Sequence, residues 1–129
     1  LREAARRRHP EARIQWLADQ LPRLEAVHRL DQTFELILLS AVWMHLAPAE
    51  RDEAFRSLLA LLRPGGVLAV TLRLGEPDAE RGMYPVSVEE LQGLADAHGA
   101  QLAHSGSAAD ALGRPGVSWG EVVIRTGRA

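Results

Sequence analysis

Two short and almost wholly apolar runs, Phe34–Leu39 (FELILL) and Val67–Leu74 (VLAVTLRL), flank one amphipathic helix pattern that starts at Pro48 and runs to about Leu62. Runs of this length and apolarity are the pattern of parallel strands buried on both faces. A strand, a helix and a second strand in that order define an α/β layered fold with helices covering the sheet. Within the helix, Glu50, Asp52 and Glu53 occupy the first turn, where they complement the dipole, and Phe55, Leu58, Leu59 and Leu62 form the apolar stripe. Arg63-Pro64-Gly65-Gly66 then ends the helix and turns the chain.

The flanking sequence extends this pattern. Residues Leu1–His9 are helix formers stopped by Pro10, Ala12–Ala18 (ARIQWLA) reads as a short strand, and Pro22 opens a helix through Leu30. Beyond the second run, Gly75–Pro85 (GEPDAERGMYP) is a polar loop long enough to cover something. Ser87 and Glu90 form a capping box, with Val86 and Leu91 as its hydrophobic staple, on a helix that ends at His98-Gly99. Gln101–His104 is a short strand, Ser105–Gly116 a loop, and Trp119–Arg125 a final strand antiparallel to the one before it.

Length and composition narrow the function classes. A chain of 129 residues suits a single domain, and its 47% hydrophobic and 25% charged residues are those of a globular protein. The absence of cysteine excludes a disulfide scaffold, a thiolate metal site and a cysteine nucleophile. All 15 basic residues are arginine, which removes Schiff-base chemistry and the lysine of a Walker-type loop. The net charge of −2 supplies no field for nucleic acid or an anionic membrane, and Arg6–Arg8 reads as a solvated helix face beside Glu3 and Glu11. No apolar stretch reaches membrane-spanning length, and nothing at the N-terminus reads as a signal peptide, since Arg6–Arg8 lead into polar sequence, so the expected compartment is the cytoplasm. The five histidines include no pair at helical ligand spacing, so no metal site is expected. None of the 11 glycines precedes Gly65, so the first half of the chain has no glycine-rich nucleotide loop.

In an open parallel sheet the binding crevice lies beyond the carboxyl ends of the strands. Asp19 falls there, either to accept a hydrogen bond from an amino group such as that of adenine or to cap a helix. Trp43 is a candidate to stack on a ring, with a core position as the alternative. His45, at a strand end, is the candidate general base, against a purely structural role. Arg73 is a candidate clamp for a carboxylate or phosphate, or the partner of a surface acid, and Tyr84 contacts a substrate or anchors the covering loop. Ser40 has no glycine elbow around it, which leaves an α/β hydrolase only Ser40 and His45.

Taken together, Phe34–Leu46 (FELILLSAVWMHL) and Leu61–Leu68 (LLRPGGVL), with Arg81–Ser87 (RGMYPVS) before the capped helix, resemble the second half of a class I S-adenosylmethionine-dependent methyltransferase. The resemblance covers the chain from about Ile14 onward. It implies an incomplete Rossmann-like methyltransferase sheet, mostly parallel with an antiparallel C-terminal strand pair and helices on both faces. It further implies that Asp19 binds the adenine amino group with Gln20 and Leu21 beside the ring, and that Ser40, Ala41 and Val42 lie beside the sulfonium. Trp43 and His45 then face the acceptor or support the pocket. The implied cofactor is S-adenosylmethionine and the implied partner a small-molecule methyl acceptor. The family's first two strands and its glycine-rich loop have no counterpart here, so the expectation is that residues 1–129 are the C-terminal part of a longer methyltransferase domain. The competing expectation is a non-catalytic interaction module that has lost the cofactor cradle and pairs with a second copy through an exposed sheet edge.

Overall fold

The computed structural model describes residues 19–75, 77–110 and 112–127. The helix expected at Leu1–His9 and the strand expected at Ala12–Ala18 lie outside the described residues. Four strands, β1 (Phe34–Leu39), β2 (Leu62–Leu74), β3 (Gln101–Ala109) and β4 (Ser118–Arg125), form one open sheet in the order β1-β2-β4-β3. β1 and β2 pair in parallel, whereas β4 is antiparallel to both β2 and β3. Three strands therefore share one direction and β4 is inserted against them, which makes the sheet mixed, with the antiparallel C-terminal pair that the sequence predicts.

Two connections build the covered face. α2 (Arg51–Ala60) crosses from β1 to β2 and α3 (Val88–Ala97) from β2 to β3, while α1 (Glu25–His28) is a single turn before β1. Phe55 and Leu58 of α2 and Leu91 and Ala95 of α3 join Leu68, Val70, Leu72, Val122 and Ile124 in one buried cluster. The strand members alternate, as period-2 geometry requires, so this cluster marks one face of the sheet. Among the described residues α2 and α3 both lie on that face. The opposite face carries Thr71, Arg73, Trp119 and Glu121, together with Leu36 and Leu38, which are 61% and 64% exposed. The expectation that β1 is buried on both faces is thus corrected: among the described residues nothing packs on that side of it.

Several boundaries shift for physical reasons. The helix expected from Pro22 to Leu30 contracts to Glu25–His28, because Leu24 takes a left-handed backbone (φ 50°) that no helical residue adopts. Pro48–Glu50 forms a 3-10 turn and the regular helix begins at Arg51. The Arg63–Gly66 turn is a bulge inside β2, since the register advances two steps on β1 (Phe34 to Leu36) against five on β2 (Leu62 to Val67). Gly65 sits at φ 78°, and a Cβ on Gly66 would lie 2.8 Å from the Arg63 carbonyl oxygen, so both glycines are required by the bulge. The strand expected at Gln101–His104 extends to Ala109. Its Ser105–Ala109 half has poor strand propensity, but β4 pairs with it throughout, with Gly106 and Ala108 opposite Glu121 and Trp119. No helix among the described residues is long and apolar enough to cross a membrane.

The core should respond accordingly. Phe55 is fully buried between α2 and the sheet, so Phe55→Ala is expected to lower the unfolding free energy by about 3–5 kcal/mol, read as a shift in the urea denaturation midpoint at unchanged m-value.

Candidate functional site

The segment that leaves β1 is held by side chains from three other elements. Arg51, in the first turn of α2, is 3% exposed and donates through Nη1 to both Glu90 oxygens (3.1 and 2.8 Å) and to the Pro85 carbonyl (2.8 Å), and through Nε to the Leu46 carbonyl (3.2 Å). Trp43 Nε1 donates to Glu90 Oε1 at 3.1 Å. One buried guanidinium thus ties the 3-10 turn Trp43–His45 to the end of the covering loop and to the start of α3. The Tyr84 backbone N–H donates to the Met44 carbonyl at 2.8 Å and fastens the same loop from the other side.

This network corrects two expectations. Ser87 Oγ accepts from the Glu90 N–H at 3.1 Å, but the Glu90 carboxylate does not return to complete the capping box. It serves Arg51 instead, because pairing with a buried cation adds a full opposite charge that the backbone N–H of the cap does not carry. Trp43 is fully buried, with its indole N–H engaged, so it supports the turn from the core and stacks on nothing outside it.

On the helix-covered side of this turn lies a mainly apolar concavity of about 400 Å³ lined by Asp19, Gln20, Leu21, Leu24, Leu39, Val42, His45 and Leu46. It gathers Asp19, Gln20, Leu21, Val42 and His45, five of the residues selected from the sequence. The two Asp19 oxygens accept from the Gln20 and Val27 backbone N–H groups, each at 2.9 Å. These bonds fix the carboxylate in place and leave each oxygen a further lone pair. Two of the expected residues, Ser40 and Ala41, line a second concavity of about 380 Å³ on the other face of the sheet, with Thr71, Ser107, Ala108, Trp119, Gly120 and Glu121. Ala41 has a left-handed backbone (φ 54°), and its N–H donates to Thr71 Oγ1 at 2.8 Å. This turn sends Ser40 and Ala41 to one concavity and Val42 and His45 to the other.

Arg73 stands beside the second concavity as the cross-strand partner of Trp119, and its Nη1 donates to Met83 Sδ at 3.1 Å. Tyr84 is 41% exposed on the covering loop. Trp119 is set by a further clamp: Asp110 accepts from Trp119 Nε1 (3.0 Å), from Arg114 Nε and Nη2 (2.8 and 2.9 Å) and from the Arg114 backbone N–H (3.1 Å). The Arg114 guanidinium and the Trp119 N–H hold the Asp110 carboxyl well below its ordinary range. No group of three or more His, Asp or Glu side chains suited to a metal ion occurs among the described residues.

Sequence reading missed Arg51, Thr71, Trp119 and Asp110. For Arg51 a signal was present, since a cation in the first turn of a helix opposes the dipole and implies a tertiary partner. For Thr71 and Trp119 the face of the sheet had to be known first.

A family model described as a methyltransferase domain matches residues 1–70 of the chain. No curated protein matches it. Among solved structures it is similar to the N-methyltransferase NodS from Bradyrhizobium japonicum WM9, with TM-score 0.68 and 17% identity over 97% of this chain and 66% of NodS. NodS has also been solved in complex with S-adenosylhomocysteine. The [4+2]-cyclase SpnF is similar over 99% of this chain and 62% of its own, with TM-score 0.69 and 14% identity. An O-methyltransferase family protein from Burkholderia thailandensis is similar over 99% of this chain and 41% of its own, with TM-score 0.68 and 13% identity. The chain thus spans less than two thirds of the length of each of these structures.

Two expected outcomes follow from the anchoring groups. Glu90→Ala leaves the Arg51 cation without its carboxylate, and with Glu90 itself 31% exposed the loss should be about 2–4 kcal/mol in urea unfolding. For Asp110, the lowered native pKa means that the clamp's contribution is complete above the ordinary carboxyl value of 3.8 and is lost as pH falls below it toward the native value. The gap in urea midpoint between the native protein and Asp110→Asn should therefore stay constant from about pH 7 to pH 5 and narrow below about pH 4.

Proposed function

The chain belongs to the methyltransferase-domain family, and from that premise we propose that the complete protein transfers a methyl group from S-adenosylmethionine to a small-molecule acceptor. The observation that carries this reading is the concavity that brings Asp19, Gln20, Leu21, Val42 and His45 together at the carboxyl end of β1. Its apolar walls, with one fixed carboxylate at Asp19, suit the adenosine end of such a cofactor. When bound, the cofactor supplies a methyl group on a sulfonium, already activated for attack.

What remains for the protein is to bind, orient and exclude water, since methyl transfer asks chiefly for approach geometry. Asp19 accepts the adenine amino group, and Gln20 and Leu21, with Leu24 and Leu39, enclose the ring. Ser40, Ala41 and Val42 border the reacting centre, and their backbone is fixed by the Ala41–Thr71 hydrogen bond. His45 is the base where the acceptor nucleophile must lose a proton. Tyr84 and Arg73 sit on the acceptor side, while Trp43 acts through Glu90 to hold the His45 turn in place. No glycine-rich segment precedes Gly65 in this sequence to hold the methionine end of the cofactor.

Isothermal titration of the full-length protein with S-adenosylmethionine tests this reading. Asp19→Ala should cost about 1–3 kcal/mol of binding, which is roughly a 5- to 150-fold rise in Kd. A Kd unchanged by the substitution removes Asp19 from the site, and no binding by the native full-length protein removes the function.

A further inference from the structure

Three arginines among the described residues are more than half shielded from solvent: Arg51, Arg73 and Arg114. Arg51 holds the Glu90 carboxylate and Arg114 holds that of Asp110, each at 2.8 Å. Arg73 holds a thioether. Its Nη1 donates to Met83 Sδ, and its Nε, like Nη2 of Arg51, is closed off from solvent with no hydrogen-bond partner; unlike Arg51, Arg73 has no ion-paired carboxylate among the described residues. A guanidinium offers five donors in a planar fork, and sulfur is a weak acceptor. Buried charged donors left this poorly matched are the exception in folded proteins.

The surroundings say what would match them. Arg73 and Thr71 alternate onto the helix-free face of β2, and Thr71 and Trp119, the cross-strand partner of Arg73, both line the 380 Å³ concavity with Ser40 and Ser107. The covering loop begins two residues after Arg73 and returns to it through Met83. Among the described acids of the loop, Asp78 is engaged elsewhere, accepting from the Glu80 N–H at 3.1 Å and facing Arg81 at 3.8 Å. Glu121, also on the concavity, stands opposite Thr71, two residues or about 7 Å along the strand from Arg73, and contacts His104 Nε2 at 3.2 Å.

We infer that Arg73 anchors a binding site for a carboxylate or phosphate group of a small ligand, between the Thr71–Trp119 concavity and the Gly75–Pro85 loop. The fork matches two oxygens of either anion, and those oxygens replace Met83 Sδ as its partner. The anion site rests on Arg73 itself and not on the proposed methyl transfer.

The test is an arginine Nε–H NMR titration of the 129-residue chain at constant ionic strength, with inorganic phosphate in one arm, benzoate in a second and chloride in a third. The Arg73 resonance is identified by its absence in Arg73→Gln. The expected result is a saturating shift of that resonance, with the Met83 methyl signal moving in step, in the phosphate or the benzoate arm and not with chloride. The responding arm identifies the anion. Arg73→Lys keeps the charge without the fork, so an affinity weakened at least fivefold, measured by the Met83 methyl shift, is the expected companion result, and it remains readable if Arg73→Gln fails to fold. A shift that does not saturate, equal shifts at the exposed Arg56 and Arg125, or unchanged affinity in Arg73→Lys overturns the inference. Because no S-adenosylmethionine is present, failure here leaves the cofactor titration standing, and failure of that titration leaves this result standing.

Discussion

The structure depends on one buried cation. Arg51 enters the core at the start of α2, where the helix dipole disfavours it, and at 3% exposure it has little water to compensate. It is tolerated because Glu90 supplies a carboxylate and Leu46 and Pro85 supply carbonyls. The gain is not net stability, since a well-packed apolar pair would serve the core as well or better. The gain is alignment. Glu90 begins α3, Pro85 ends the covering loop and Leu46 follows the His45 turn, so one ion pair sets the two crossover connections of the sheet relative to each other. Trp43 adds the same constraint from inside the core by donating to the same carboxylate. A displacement of any one of these elements would strand a charge.

That network explains which parts of the molecule were legible in the sequence. The strand-helix-strand unit was, because the period of its apolar residues is a local property and α2 and β2 needed no outside information to be placed. The Ser105–Ala109 half of β3 was not, because its small residues have no strand preference of their own and become a strand only where β4 supplies a hydrogen-bonding partner. Leu24 illustrates the opposite failure. The helical spacing of Leu24, Val27 and His28 is present, but a left-handed residue at Leu24 interrupts it. No residue type at that position signals such a conformation, since leucine adopts it only under tertiary constraint. The Ser87 cap was half legible, since the hydroxyl obeys the local rule and Glu90 is drawn away by Arg51.

The site divides along the same line. Val42 and His45 reach the first concavity because they leave the carboxyl end of β1, which the order of elements already implies, and Asp19, Gln20 and Leu21 join them from the segment before α1. Trp43 stayed open between core and surface because strand alternation would pair it with His45, whereas the 3-10 turn, in which residues three apart eclipse, leaves Val42 and His45 outside and Trp43 inside. Thr71, Trp119 and Arg73 belong to a face that exists only once β4 is inserted between β2 and β3, and an antiparallel strand arriving from the C-terminus has no local signature in the residues it will flank.

The two concavities lie on opposite faces of the sheet and share one stretch of backbone. Leu39 and Leu46 place the first against the helix-covered core, while Thr71, Trp119 and Glu121 place the second on the other face. Between them runs Ser40-Ala41-Val42, held in a left-handed turn by a single hydrogen bond from Ala41 to Thr71. Non-glycine residues held this way cost of order 1–3 kcal/mol and persist where neighbouring structure over-determines them. Here the result is a wall that faces both ways. The strain at Ala41, after β1, and the poorly matched fork of Arg73, near the end of β2, are both local costs on neighbouring strands of the same sheet.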